Sequence, residues 1–330
     1  MTNVDTQFLS DSEDDLNTAA ALLKAGGTVA VPTETVYGLA ANALDVDAVN
    51  KIFSAKQRPN NHPLIVHIHD KAQLESLAVD LPPQLDRLAQ AFWPGPLTVI
   101  VKKRTGVPDA VTGGLNTVGI RMPNHPVLRQ VLKIADVVVA APSANPHKQL
   151  SPTSAQQVFN ELNGRIDAVI DGGFCNVGVE STIVDLSNLN AGQQPRVLRA
   201  GPITAQQIEQ VLNEPVIPYQ SHNESVAGNI KQHYQPKRPL SVKSSQDLIG
   251  SLPIPAHNAV VYYSDDVERA VSGQSNAHKL SESKAEYARM LYRTLYELDT
   301  DDYQAIWVES PPDTEEWLDI HDRLARASAK

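Results

Sequence analysis

The sequence predicts a mixed α/β protein of two domains, and three observations carry that prediction. Short apolar runs alternate with helical patterns along the chain, as they do where strands form a sheet covered by helices. The 330 residues, 42% of them hydrophobic, are enough to bury a sizeable core and long enough to favour two domains over one. Composition then shifts at residues 214–240, EPVIPYQSHNESVAGNIKQHYQPKRPL, where proline, glycine and polar residues follow no period, as in a linker.

Taken in order, DLNTAAALLKAGG predicts a helix closed by Gly26 and Gly27, and TVAVPT a strand directly after it. DVDAVNKIFSAK predicts a second helix, stopped by Pro59. Strands are expected at 64–69, 96–103, 117–122, 137–141, 166–170 and 181–186, enough for one open, largely buried sheet. In TAQQIEQVL, Thr204 with a glutamine three residues on is a capping-box pattern and opens the last helix of this unit. Past the linker a smaller α/β pattern follows, with strands at AVVYYS and AIWVES and helices at KAEYARMLYRTLYEL and near the C-terminus. There is no internal repeat and no low-complexity tract.

Several classes are disfavoured at once. A net charge of −10 argues against a generally basic nucleic-acid binder. The single cysteine, Cys175, rules out a disulfide framework. The N-terminus MTNVDTQFLSDSEDD lacks the basic and apolar regions of a leader, and no apolar run approaches ~20 residues. A soluble, cytoplasmic protein without membrane contact is expected.

Four stretches carry candidate chemistry. Val49, Ile52, Phe53 and Lys56 fall at i, i+3, i+4 and i+7, so Lys56 projects from the core side of its helix and Arg58 sits in the turn beyond. An anion site and a snorkelling lysine that offsets the helix dipole fit this spacing equally well. In TVGIRM, Val118, Ile120 and Met122 point one way, while Thr117, Gly119 and Arg121 share the other face. A hydroxyl, a gap and a guanidinium form a cradle for a carboxylate or phosphate, although an ordinary polar sheet face would read the same. LIVHIH puts His67 and His69 on one face, where a hydrogen-bonding His67 is favoured over a metal ligand because no further ligands align with it. VVVAAPSANP runs from a buried strand into a loop that carries Ser143 and Asn145, at the strand end where α/β sheets bind ligands. No G-x-S-x-G elbow surrounds Ser143 or Ser181, so donor roles fit better than nucleophilic ones. There is neither a Walker loop nor a G-x-G-x-x-G fingerprint.

PTETVYGLA, FSAKQRP, HPLIVH, FWPGPLTVIVKK, TVGIRMPNHP, AAPSAN, SPTSAQQV, IDGG, GVESTIVD and VLRAGPIT together resemble, in this order, the Sua5/YrdC family of threonylcarbamoyl-AMP synthases. IKQHYQPKRPL, YARMLYRTLYELD and DRLARASAK resemble the linker and C-terminal domain of the Sua5 branch. The resemblance implies a YrdC-like open twisted mixed sheet with flanking helices over residues 1–213, a linker or lid over 214–242, and a smaller Rossmann-like α/β/α domain over 243–330. It implies a nucleotidyltransferase that converts L-threonine, bicarbonate and ATP into threonylcarbamoyl-AMP and pyrophosphate, for the t6A modification at position 37 of tRNA. Magnesium is expected to arrive with ATP, with no metal site of the protein's own. The expected partners are the downstream t6A transfer machinery and, weakly, tRNA.

Carried over position by position, the resemblance assigns Lys56, Arg58, Ser143 and Asn145 to the ATP phosphates and the reacting carbamate. Thr35, His67, Arg121 and Ser181 match threonine-holding positions, with Arg121 facing the carboxylate. His62, Thr117, Ala141, Ser151 and Arg199 match nucleotide-contacting positions, His62 standing where the family commonly has asparagine or lysine. Tyr234 matches a lid tyrosine. Two other classes predict different behaviour. A YrdC-like RNA-binding module without synthase activity, using Lys102, Lys103 and Arg104, would bind RNA in a steeply salt-dependent way without threonine. A metal hydrolase built on the H-x-H would purify with a transition metal.

Overall fold

The computed structural model describes residues 4–220, 226–227 and 232–329. Parts of the linker, residues 221–225 and 228–231, therefore lie outside the described residues. The chain divides into two units: Met1–His147, Pro152–Asn176 and Glu180–Asn229 form the first, and Lys148–Ser151, Val177–Val179 and Ile230–Lys330 the second.

The first unit is built on strands β1 (Gln7–Leu9), β2 (Val29–Val31), β3 (Gly38–Asn42), β4 (Ile65–His67), β5 (Leu97–Lys102), β6 (Thr117–Arg121), β7 (Val139–Ala140), β8 (Ala168–Ile170), β9 (Thr182–Asp185) and β10 (Arg196–Arg199). They form one mixed sheet in the order β1-β8-β2-β3-β7-β4-β6-β5-β9-β10. The expected strands at 28–33, 64–69, 96–103, 117–122, 137–141, 166–170 and 181–186 all appear, mostly trimmed at their ends. β1, β3 and β10 were not anticipated. GLAAN in β3 has no β-branched residue, and QFL and RVLR in β1 and β10 are too short and too polar to signal a strand. Pairing with neighbours in the finished sheet, rather than local propensity, makes them extended.

Helix boundaries follow local chemistry. The helix Glu13–Lys24 starts at Ser12, whose side chain accepts from Asp15 N, and three acidic residues in its first turn favour the N-terminal dipole. Asp45 caps Val46–Lys56 by accepting from Asp47 N and Ala48 N. That helix ends in a left-handed Gln57 (φ 53°), two residues before Pro59, so the C-cap conformation and not the proline ring stops it. Thr204 and Gln207 form the full reciprocal capping box ahead of Ala205–Leu212.

The pleat then separates two environments. Val66, Val99, Val101, Val118, Ile120 and Val184 face one core with the helices Val46–Lys56, Pro83–Phe92, Ala155–Leu162 and Ala205–Leu212. On the opposite face, Glu13–Lys24 and Pro126–Ala135 pack over Val29, Val31, Ala40, Val139 and Ile170, at the β1-to-β7 end of the sheet. Toward β10 that same face carries Ile65, Ile100, Ile183 and Leu198, packed with Val226 and Ala227 rather than with a helix. His67, Thr98, Gly119 and Arg121 share this face through the alternation of their strands. The site lies here.

The second unit has β11 (Leu240–Lys243), β12 (Asn258–Tyr262), β13 (Ala277–Lys279) and β14 (Ala305–Glu309) in a parallel sheet of order β11-β14-β12-β13. β11 begins inside the stretch that reads as linker, and β13 was not anticipated, being the polar tripeptide AHK. Lys284–Leu298 matches the expected helix in both bounds, and Leu318–Ala327 is the last helix. No described helix is long and apolar enough to cross a membrane.

Candidate active site

Lys56 ends its helix with only 2% of its surface exposed. Its Nζ donates to Ser143 O and to Asn145 O, both at 2.5 Å, and its own carbonyl accepts from His147 N at 2.8 Å. The Ser143–Asn145 loop is fixed on its other side by Leu39 N to Pro142 O and Ala144 N to Tyr37 O, each 2.8 Å. Lys56 is thus tied to the loop after β7, and Arg58, also buried, donates through Nη2 to Pro63 O at 3.2 Å. Burial first, and then the Arg58 charge, draw the Lys56 ammonium well below the usual lysine pKa. The charge of an anion delivered to this corner would oppose both effects. His62 lies nearby, its ring 6.0 Å from that of His147, and burial followed by the Arg58 charge lowers its pKa as well.

A second cluster forms around Arg121, which is 4% exposed at the end of β6. Its Nε donates to Gly95 O at 3.2 Å and its Nη1 to Thr35 Oγ1 at 2.9 Å. Its Nη2 lies 2.6 Å from Glu34 Oε1, and both partners of this ion pair are over nine-tenths buried. His67 is the direct cross-strand neighbour of Arg121. Burial, and secondly the Arg121 charge, push the His67 imidazole down to about 3, so it is neutral at any working pH. His69 lies past the end of β4, and its Nε2 is 3.9 Å from Asp136.

The third cluster is at the start of β9. Arg199 donates from Nε to Ser181 O at 2.9 Å, from Nη2 to Ser181 Oγ at 3.0 Å and from Nη1 to Ala227 O at 2.9 Å. Ser181 Oγ is also 2.8 Å from Thr98 Oγ1, so an arginine and a threonine orient one fully buried hydroxyl. The chain returns past it at Gly201, where a Cβ would lie 2.3 Å from Thr182 N; only glycine allows this approach. Gly119, by contrast, has no neighbour closer than 3.4 Å to a built Cβ, so its missing side chain keeps open the sheet face between Thr117 and Arg121.

Of the residues singled out in the sequence, Lys56, Ser143 and Asn145 meet directly, as do Thr35 with Arg121 and Ser181 with Arg199. Ala141 joins the sheet by donating its N–H to Ile65 O at 3.0 Å. Thr117 lies at the far end of β6, in the lining of a cavity of about 540 Å³ with Lys102, Lys103 and Asn116. Lys102 is paired with Asp80 and Lys103 with Asp109, which offsets the charge an RNA-binding surface would need. Ser151 and Tyr234 belong to the second unit. There the Tyr234 ring packs 4.0 Å from that of His233 and 5.8 Å from that of Tyr292.

Sequence reasoning missed Glu34, Gly95 and Thr98. Thr98 had a signal: it is the one hydroxyl on the alternate face of the apolar strand LTVIVK. Glu34 sat unassigned within PTETVYG, and Gly95 contributes only a backbone carbonyl, which no side-chain pattern announces.

Comparison with known proteins places the chain as a whole among relatives. Residues 21–201 match the Sua5_yciO_yrdC family model, described as "Telomere recombination", and residues 203–329 match "Threonylcarbamoyl-AMP synthase, C-terminal domain". A threonylcarbamoyl-AMP synthase of Pyrococcus abyssi is 37% identical over 322 residues, covering 94% of this chain and 93% of that protein. One of Bacillus subtilis is 37% identical over 342 residues, covering 98% and 95%. The crystal structure of Pyrococcus abyssi Sua5 complexed with L-threonine superposes with a TM-score of 0.86 at 34% identity, over 98% of this chain and 97% of that one.

Proposed function

Because this chain belongs to the Sua5/YrdC family, we propose that it is a threonylcarbamoyl-AMP synthase, condensing L-threonine, bicarbonate and ATP into threonylcarbamoyl-AMP with release of pyrophosphate. One observation in the geometry carries the reading furthest. On the sheet face that no helix covers, Arg121 with the adjoining loop residue Thr35, neutral His67 and the oriented Ser181 hydroxyl offer an α-amino acid a carboxylate seat and hydrogen-bonding partners. The Lys56 and Arg58 corner supplies a seat for phosphate.

The reaction is a nucleotidyl transfer. The threonine amine takes up bicarbonate as a carbamate, with loss of water, and a carbamate oxygen displaces pyrophosphate at the α-phosphorus of ATP. Such a displacement needs alignment and charge neutralisation and no covalent nucleophile. Arg121 and Thr35 hold the carboxylate of threonine. His67, neutral and buried, accepts a hydrogen bond without adding charge. Lys56 and Arg58 offset the negative charge at the phosphates, while Ser143 and Asn145 supply the loop that orients Lys56. His62, Thr117, Ala141 and Arg199 are assigned, by the family resemblance, to the nucleotide. Magnesium would arrive with ATP and would offset phosphate charge, with no metal site of the protein's own needed to hold it. Among the described residues there is no group of three or more His, Cys, Asp or Glu able to hold a metal. The product passes to the t6A transfer machinery, with at most weak contact to tRNA.

The test is pyrophosphate release with each substrate omitted in turn. Dependence on both L-threonine and bicarbonate is expected; an unchanged rate without threonine overturns the reading.

A further inference from the structure

We infer that Glu34 is the positioning residue of the amino-acid carboxylate site, holding the Arg121 guanidinium so that its remaining donors meet the substrate. The inference rests on the proposed function and adds to it a residue that touches Arg121 rather than the ligand. Arg121 is anchored at Nε by Gly95 O and at Nη1 by Thr35 Oγ1, which leaves the Nη2 end to be fixed. Glu34 Oε1 fixes it at 2.6 Å, while Glu34 Oε2 accepts from Asn124 N at 3.0 Å. The Glu34 carboxylate is therefore itself pinned from behind, at 6% exposure.

The contact has an unusual form. It is close, yet neither Glu34 Oε1 nor Arg121 Nη2 finds an aligned hydrogen bond among the described residues. Glu34 thus balances the charge of a buried guanidinium without consuming its directed N–H groups. Those donors stay available to an incoming carboxylate, which can align with them as Glu34 does not. A buried arginine with no counter-charge would be costly to keep in the free protein. One fully saturated by an aligned carboxylate would have nothing left to offer.

Glutamine cannot substitute. Glu34 uses both oxygens, one toward Arg121 and one toward the Asn124 N–H, whereas an amide has one accepting end and one donating end. Either the guanidinium or the Asn124 N–H must then face a donor.

The experiment measures steady-state pyrophosphate release by the full chain for wild type, Glu34→Gln and Glu34→Asp, with threonine and ATP varied separately. In Glu34→Gln the KM for threonine is expected to rise about tenfold or more while the KM for ATP stays within twofold. Glu34→Asp keeps the charge but draws the carboxylate back by one carbon, so it is expected to show a smaller rise in the same constant. If Glu34→Gln does not fold, the Asp variant reads the same split. An unchanged or lowered threonine KM, or an equal rise in both constants, overturns the inference and leaves the proposed function standing. Wild type that releases pyrophosphate without threonine overturns the proposed function, and the inference with it.

Discussion

Two buried carboxylates, one in each unit, are put to opposite ends. Glu34 in the first unit touches Arg121 closely, yet Arg121 Nη2 makes no aligned hydrogen bond among the described residues, on a sheet face that no helix covers. Glu309, at the end of β14 in the second unit and 0% exposed, is saturated: it accepts from Tyr263 N at 2.8 Å, Ser264 N at 3.1 Å, Ser264 Oγ at 2.6 Å and Ser245 Oγ at 2.8 Å. The end of a parallel strand is where α/β sheets commonly bind ligands. In the second unit that place is filled by the protein's own side chain, tying together the starts of Ser245–Gly250 and Asp265–Ala270. On the proposed function, hydrogen-bonding capacity left over marks the region that does chemistry, and capacity used up marks the region that holds shape.

The largest expected effect tests the open region. Lys56→Ala and Arg121→Ala should each lower pyrophosphate release by about a hundredfold or more in a protein that still unfolds cooperatively, since on the proposed function each removes a charge that meets a substrate anion. Full activity in either would break the comparison on the side of the first unit. Next comes the closed region. Glu309→Ala strands two backbone N–H groups and two hydroxyls, and should cost about 3 kcal/mol in urea-induced unfolding. A loss below about 1 kcal/mol would mean that water reaches these groups and the region is not closed.

The smallest effect concerns pH. Unfolded His67 binds a proton below about 6.5, whereas the folded imidazole stays neutral down to about 3. The unfolded state therefore holds the extra proton in that window, and stability falls as the pH drops through it, by up to about 1.4 kcal/mol per pH unit. His67→Asn should flatten this part of the stability curve between pH 6 and pH 4; an unaltered slope would show that another group dominates.

The first unit was readable because its signals are local. Thr204 with Gln207, the capped helix Val46–Lys56 and the alternating faces of TVGIRM all depend on residues within a few positions of one another. The order of motifs also pointed to the family and so to Lys56, Arg121, Thr35, Ser181 and their neighbours. β3, β10, β11 and β13 were not readable, because short strands with little or no β-branched content become strands only through partners far away in the chain. Glu34 was hidden for a related reason. Its meaning comes from Arg121 and from Asn124 N, ninety residues on.

By itself, the sequence determined which residues carry charge, which face of each element they occupy and where helices begin. Those properties follow from side-chain chemistry and from the 3.6- and 2-residue periods. Tertiary structure alone decided which of these groups are satisfied. The depressed Lys56, the neutral His67, the half-used Arg121 and the saturated Glu309 all depend on burial and on partners brought from distant strands. A carboxylate looks the same in any sequence, and only its surroundings make it a clamp or a keystone.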